Sequence, residues 1–468
     1  MSNIDENKLN RQLLGVEKWK ENKGIGTLNY YTGVGKTYSA IIIINRVLNK
    51  NPATNVVIIV PSDELKKQWK IELNTHIEDK SWLNNINVYI INTAVRSIFR
   101  CNLLVLDEIH EYYSDERIEF IKKCKYQFIL GLTATWEDTN NRHCIMETIC
   151  PIVDKIDEDE ALANNYISKF YEYNLACTLT DKEREDYDHF SKIVGDNMNK
   201  FGKNNSLGVA GLCLTGDKKH KPLEYCFMWA SKMGWTRDMD LSIRENRELN
   251  DLWHPRHIIG YARNLMTAIR ERKNILYTAE NKLKLAMEII DKYPKLKTIC
   301  FSQSTIFADK LATIINEKAI NQRDRCVVYH SKLETIKELN PKGKVVKVGS
   351  TILKRRAIEA IKTGQARVIS TASALDKGFN VKDIRLGITT SSTQNPTQHK
   401  QRGGRVKRIE SYTEDITVLI VNIYVKDTKD EDWLIKRQSK SSNKVYWVNE
   451  VSKINYEPQS KSFAFKDI

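Results

Sequence analysis

The hexapeptide TGVGKT, Thr32 to Thr37, constrains this chain more than any other stretch. Two glycines one residue apart let a loop turn its backbone amides toward an anion, where a side chain would intrude. Thr32, Gly33, Val34 and Gly35 would then line a phosphate, Lys36 would reach its outer oxygens, and Thr37 would offer a hydroxyl to Mg²⁺. Such a P-loop works between a β-strand and a helix whose N-terminus faces the anion, so it commits this region to an α/β sheet. The first glycine of the usual pattern is replaced by Tyr30, and a bare GKT is also compatible with an ordinary loop.

The context favours the phosphate cradle. Local propensity assigns the β-branched run Ile41 to Ile44 to a strand, yet the loop demands a helix there, and a buried helix can be apolar on all sides. The stretch NVVIIVPSDELKKQW reads as a buried strand ending at Pro61, then a helix capped at Ser62 or Asp63. In CNLLVLDEIHEYY a second short strand carries Asp107 and Glu108 at its carboxyl end, where open α/β sheets bind ligands. Asp107 would hold the Mg²⁺ shell and Glu108 would orient and deprotonate an attacking water. Alone, such a pair is as readily a solvated turn; following a P-loop, the catalytic reading prevails. Thr133 and Thr135 of LTAT could hydrogen-bond the acids, and Gln12 would either read an adenine edge or face solvent.

The chain has 468 residues, enough for roughly two to four domains. Its net charge of +15 favours a polyanionic partner, foremost nucleic acid. The nine scattered cysteines form no C-x-x-C pair and read as reduced, mostly buried thiols. The polar N-terminus does not read as a signal or transit peptide, and no apolar run approaches the roughly 20 residues that cross a bilayer. A soluble, cytoplasmic protein without membrane partners is expected, in a host cytoplasm if it is phage-encoded.

In order, TGVGKT, VPSDELKKQW, LDEIH and LTAT resemble motifs I, Ia, II and III of superfamily 2 helicases and translocases, DEIH being a variant of the DEAD/DEAH box. The resemblance implies a second RecA-like lobe. KTICFSQSTIFADKLA from Lys297 resembles motif IV, VVYHSK the next strand, and the segment from Arg355 to Ile384 the elements through motif V. Gly378, Phe379 and Asn380 end that motif, with Asn where the family has Asp. QRGGRVKR resembles motif VI, Q-x-x-G-R-x-x-R, at Gln401, Gly404, Arg405 and Arg408. A plain basic patch would explain its charge but not its glycine spacing.

The resemblance implies ATP and Mg²⁺ as cofactors. Lys36, Asp107, Glu108, Gln401, Arg405 and Arg408 would be catalytic, the two arginines neutralising charge on the γ-phosphate from across a cleft. Gln12, Thr32 to Thr37, Gly378, Arg405 and Arg408 would bind nucleotide, and Thr37 and Asp107 would bind the metal. Thr93, Ser302, Gln303 and Thr371 would contact a nucleic-acid backbone. The expected architecture is two RecA-like P-loop lobes, 1–165 and 291–425, with a mainly helical insertion at 166–290 and an extension at 426–468.

Within the insertion, the helix from Arg256 is either packed with a solvated basic face or turned to DNA; the Trp229 to Trp235 aromatics are either core or base platforms. The basic, aromatic tail suits either backbone contact or packing on the second lobe. XPB-like and phage UvsW-type branch-migration helicases are the branches most resembled. An ATP-dependent motor on branched or forked DNA in recombination, replication or repair is expected, RNA being second choice as substrate. The alternatives are a restriction or remodelling motor that moves on duplex without unwinding it, and an ATP-gated nucleic-acid clamp.

Overall fold

The computed structural model describes residues 3–137, 141–202, 205–217, 219–321, 324–339, 344–372, 381, 383–391, 393, 396–407, 417–438 and 444–456. Gly378, Phe379, Asn380 and Arg408 lie outside the described residues. The chain divides into two compact units, Met1–Ala176 with Leu285–Ile468, and Cys177–Lys284.

Among the described residues the larger unit holds two large sheets and a two-stranded one. The first contains β1 (Ile25–Tyr30), β2 (Val56–Val60), β3 (Ile86–Ile90), β4 (Leu103–Asp107), β5 (Phe128–Thr133) and β6 (Ile152–Ile156). Their order is β3-β2-β4-β5-β1-β6, and all neighbours run parallel. Every residue of β2 and β4 is buried, as expected of continuous apolar runs covered on both faces. Because β5 lies between β1 and β4, the P-loop, the LTAT threonines and the acid pair leave neighbouring strands at one carboxyl edge. The Ile41–Ile44 run is helical, inside Lys36–Lys50, and buries Ile41, Ile43 and Ile44; packing overrides its strand propensity. The following helix, Asp63–His76, is capped by Ser62, whose hydroxyl accepts from Leu65 N at 3.3 Å.

The second sheet contains β7 (Lys169–Cys177), β8 (Thr298–Ser302), β9 (Cys326–His330), β12 (Val368–Ala372), β13 (Leu386–Thr389), β14 (Thr417–Val425) and β15 (Val445–Val448), ordered β15-β7-β14-β13-β8-β12-β9. Separate from both sheets is a hairpin of β10 (Ile336–Leu339) and β11 (Val345–Val348). Both large sheets are α/β cores, and in the second the pairs β12–β8, β12–β9, β13–β14, β13–β8 and β15–β7 are also parallel. The sequence reading groups β7 with the insertion and β15 with the tail, whereas the structure makes both strands of this sheet. Hydropathy misses β7 because its interior is polar: Glu172 and Asn174 are buried, and Asn422 Nδ2 donates to both, at 2.8 and 3.0 Å. Such a strand is stable only because its buried polar groups are paired.

Cys177–Lys284 is helical, chiefly Asp181–Lys200, Ser206–Thr215, Pro222–Lys232, Arg244–Trp253 and Pro255–Thr278. A capping box, Thr180 with Glu183, starts the first of them. Ile258, Ala262 and Leu265 enter a core with Phe201 and Trp235, while Arg263, Arg270 and Lys273 stay exposed. Trp235 is buried with its Nε1 donating to Asn250 Oδ1 at 3.0 Å, which makes it a core residue rather than a base platform. No helix among the described residues is long and apolar enough to cross a membrane.

Candidate active site

The glycines of TGVGKT stand where the backbone needs them. Gly33 and Gly35 have φ of 99° and 101°, the left-handed region closed to most side chains. Gly35 is the N-cap of the Lys36–Lys50 helix and supplies no side chain to its first amides, which leaves those donors for an anion. Tyr30, at the place of the missing first glycine, is the last residue of β1. Its side chain is buried away from the loop, and its hydroxyl donates to Asp154 Oδ2 at 2.7 Å. The departure from the usual pattern therefore costs the cradle nothing.

The loop is braced from below by the first helix, Asn3–Glu21. Spaced four apart, Lys8 and Gln12 share one helix face. Lys8 Nζ donates to Gly33 O at 3.0 Å and Gln12 Nε2 to Val34 O at 2.7 Å. A Cβ on Gly35 would sit 2.4 Å from Gln12 Nε2. Gln12 is thus buried against the loop and does not face solvent, and its amide nitrogen is engaged by the loop backbone. Lys36 Nζ rests on Tyr30 O at 3.3 Å.

At the end of β4, Asp107 is buried and Glu108 takes φ 50°, ψ 59°. A non-glycine residue held there stores strain, a feature that clusters at functional sites. Trp69 Nε1 donates to Asp107 Oδ2 at 2.8 Å and Glu108 N to its Oδ1 at 3.1 Å. Burial, then the neighbouring Glu108 charge, push the Asp107 carboxyl up to about 6, against the opposing pull of Trp69 and Lys36. A buried acid that resists ionisation beside a second carboxylate suits a divalent cation, and the Asp107 carboxylate with the Thr37 hydroxyl is an all-oxygen donor set of the kind Mg²⁺ takes.

Thr133 is tied to His110, not to the acids as the sequence reading expects. Its Oγ1 donates to Thr135 O at 2.6 Å and accepts from Thr135 N at 3.1 Å. Since its one proton is committed, His110 Nδ1, 3.0 Å away, must be the donor. The same nitrogen lies 3.5 Å from Glu108 Oε2, which puts the ring within ion-pair distance of the second acid. Thr135 Oγ1 is buried without a hydrogen-bond partner among the described residues.

Gln401 to Val406 of the octet form the end of helix Pro396–Val406. This helix packs on the P-loop: a Cβ on Gly404 would come within 2.4 Å of Thr32 Cβ, so only glycine permits the approach. Gln401 is buried and Arg405, next to Gly404, half-buried. Arg402 is buried, donates to Ser391 O at 2.9 Å and lies 5.3 Å from the Phe301 ring centre. Lys407 is buried too. Its Nζ pairs with Glu158 Oε1 at 2.7 Å, and Tyr31 OH donates to the same oxygen at 2.6 Å. Arg402 and Lys407 are therefore not part of a surface patch.

Two family models match the chain: "Type III restriction enzyme, res subunit" over residues 6–97 and "Helicase conserved C-terminal domain" over 281–410. The "DNA 3'-5' translocase XPB2" of Sulfurisphaera tokodaii is 24% identical over 433 residues, covering 90% of this chain and 82% of that protein. These matches make the chain an ATP-hydrolysing helicase or translocase, similar to those of superfamily 2. It is also 33% identical over 128 residues to a "Putative ATP-dependent RNA helicase QP509L" of African swine fever virus, a match spanning 23% of this chain and only 24% of the viral protein. Among solved structures, the Pyrococcus furiosus Hef helicase domain is similar at 14% identity and a TM-score of 0.49, over 91% of this chain and 96% of that one.

The helicase's four sequence-assigned nucleic-acid contacts do not share one environment. Thr93 is exposed in the short helix Ile91–Ala94. Ser302, the last residue of β8, and Thr371, within β12, are buried because both strands lie in the interior of the second sheet; Ser302 Oγ lies 3.2 Å from Ser391 Oγ. Their side chains do not reach solvent in this conformation. Gln303 is half-buried, with Nε2 donating to Gln398 Oε1 at 3.0 Å. Lys8, Tyr31, Trp69, Glu158 and Lys407 escape sequence reading, since their partners are distant along the chain and no local motif marks them.

The Lys407–Glu158 pair joins the helicase's two lobes. Lys407→Met would leave the largely buried Glu158 carboxylate without its cation, an expected loss of about 3 kcal/mol. Denaturant unfolding checks the value. Lys407→Met with Glu158→Leu should recover most of the loss, because removing both charges removes the unpaired one.

Proposed function

We propose that this chain is a DNA motor whose ATP site lies between its lobes. The observation that carries this reading is the seat of Gly404 against Thr32, which brings the motif VI helix onto the P-loop. The P-loop amides and Lys36 bind the phosphates; Thr37 and Asp107 hold Mg²⁺. Glu108, with the His110 ring at ion-pair distance, orients the attacking water and takes its proton. Gln401, Arg405 and Arg408 act from the second lobe, the arginines countering charge that builds up on the transferred phosphoryl group. When bound, ATP with Mg²⁺ supplies the scissile anhydride and its Lewis acid. The chain's own contribution is to bind DNA differently in its nucleotide-bound and nucleotide-free states, without which hydrolysis would move nothing.

Forked or branched DNA is the proposed substrate. Support for DNA comes from the charge of +15 and from the relative named as a DNA translocase, matched over most of both chains. The test is steady-state ATP turnover with no nucleic acid, then with single-stranded, duplex and forked DNA and structured RNA. The greatest stimulation is expected with forked DNA. Stimulation by RNA alone would overturn the choice of DNA, and absent turnover with every substrate would favour a clamp. The match of residues 6–97 to a type III restriction subunit supports a second reading, a duplex translocase that does not unwind. Triplex displacement without strand separation would decide for it.

A further inference from the structure

The β10–β11 hairpin forms a two-stranded sheet of its own. Isolated hairpins are marginal in water, so its side chains should show what holds it. Its register pairs Ile336 with Val348, Lys337 with Lys347, Glu338 with Val346 and Leu339 with Val345. Since side chains alternate between faces, Ile336, Glu338, Val346 and Val348 share one face and Lys337, Leu339, Val345 and Lys347 the other.

The first face is the more covered one, its Ile336 and Val346 being 40% and 38% exposed. Val348 is 4% exposed, and Arg356 of the helix Ser350–Lys362 grips both Glu338 oxygens at 2.7 Å. The second face therefore turns away from that helix, and Leu339 and Val345 on it are 71% and 66% exposed. Beside them Lys337 and Lys347 stand directly opposite one another, both exposed and without an ion pair among the described residues. Like charges in cross-strand register destabilise a hairpin, and an apolar pair left in water contributes nothing. Both penalties disappear if a polyanion with an apolar surface lies across this face. The lysines also disfavour edge-to-edge pairing with another hairpin.

We propose that this face of the hairpin is a docking surface for the nucleic-acid backbone, Lys337 and Lys347 each neutralising a phosphate while Leu339 and Val345 pack on sugar or base edges. The inference rests on the motor reading and adds to it a contact that none of its helicase motifs supplies.

The test is the Lys337→Gln/Lys347→Gln variant in the full-length chain. Unstimulated ATP turnover and the melting temperature should match the wild type, since both side chains are exposed and remote in sequence from the ATP-site motifs. The nucleic-acid concentration for half-maximal stimulation should rise several-fold. The slope of log affinity against log salt should become shallower by about 1.4 on single strands or about 1.8 on duplex, from about 0.7 or 0.9 per lost phosphate contact. Leu339→Ser/Val345→Ser should weaken binding with the salt slope unchanged. Unchanged affinity and slope in the lysine variant would overturn the assignment. Loss of a wild-type self-association with nucleic-acid binding intact would instead make the face a contact between copies. A wild type stimulated by no nucleic acid would remove the motor reading, and the docking surface with it.

Discussion

Arg405→Ala is expected to lower ATP turnover by about 10³ or more, the scale at which a transferred phosphoryl group misses its arginine, while nucleotide binding is largely retained. The split follows from where the residue sits. The phosphate cradle belongs to the first lobe: Gly33, Gly35 and Lys36, braced by Lys8 and Gln12. Arg405 belongs to the second lobe, one residue beyond the glycine that touches Thr32. Losing it should leave the cradle intact and remove charge needed only as the bond breaks, so kcat falls and ground-state affinity does not. Equilibrium binding of a fluorescent nucleotide beside steady-state turnover separates the two. A variant that binds DNA poorly yet hydrolyses ATP normally would return the octet to a basic surface.

How the octet is used explains what the sequence could reveal. Its glycine is legible because spacing alone marks Gly404, and the structure gives the reason, a helix set against a loop with no room for a Cβ. Its cations are not equally legible. Arg402 and Lys407 look like further phosphate ligands, yet one is buried on Phe301 and the other on Glu158. A charge count cannot tell a buried, paired cation from a free one, because its partner lies 249 residues away in the case of Lys407. The same limit hid β7, whose buried polar residues read as a linker until Asn422 is brought beside them. By contrast β2 and β4 were plain, since a parallel strand covered on both faces must be apolar throughout. The helix over Ile41–Ile44 was reached from the chemistry of the preceding loop, against its own propensity.

Glu108→Gln tests the other half of the site and should slow turnover by about 10² to 10⁴, the range of a positioned general base. The substitution keeps the shape of the side chain, exchanges one acceptor oxygen for an NH2 donor, and removes both its charge and its ability to take a proton. Nucleotide affinity should hold or rise slightly, because one of two adjacent acids facing the phosphates loses its charge. The same loss should let the Asp107 carboxyl ionise at lower pH, since the Glu108 charge is the second cause of its rise to about 6. The folded protein then carries less of the penalty for an ionised Asp107. That penalty sets in as pH rises from the ordinary carboxylate range through about 6, so the variant should melt higher than the wild type at neutral pH and alike at low pH. Normal turnover in the variant would move the base to another residue. Slow turnover with an unchanged pH dependence of melting would leave Glu108 as the base but uncouple it from Asp107.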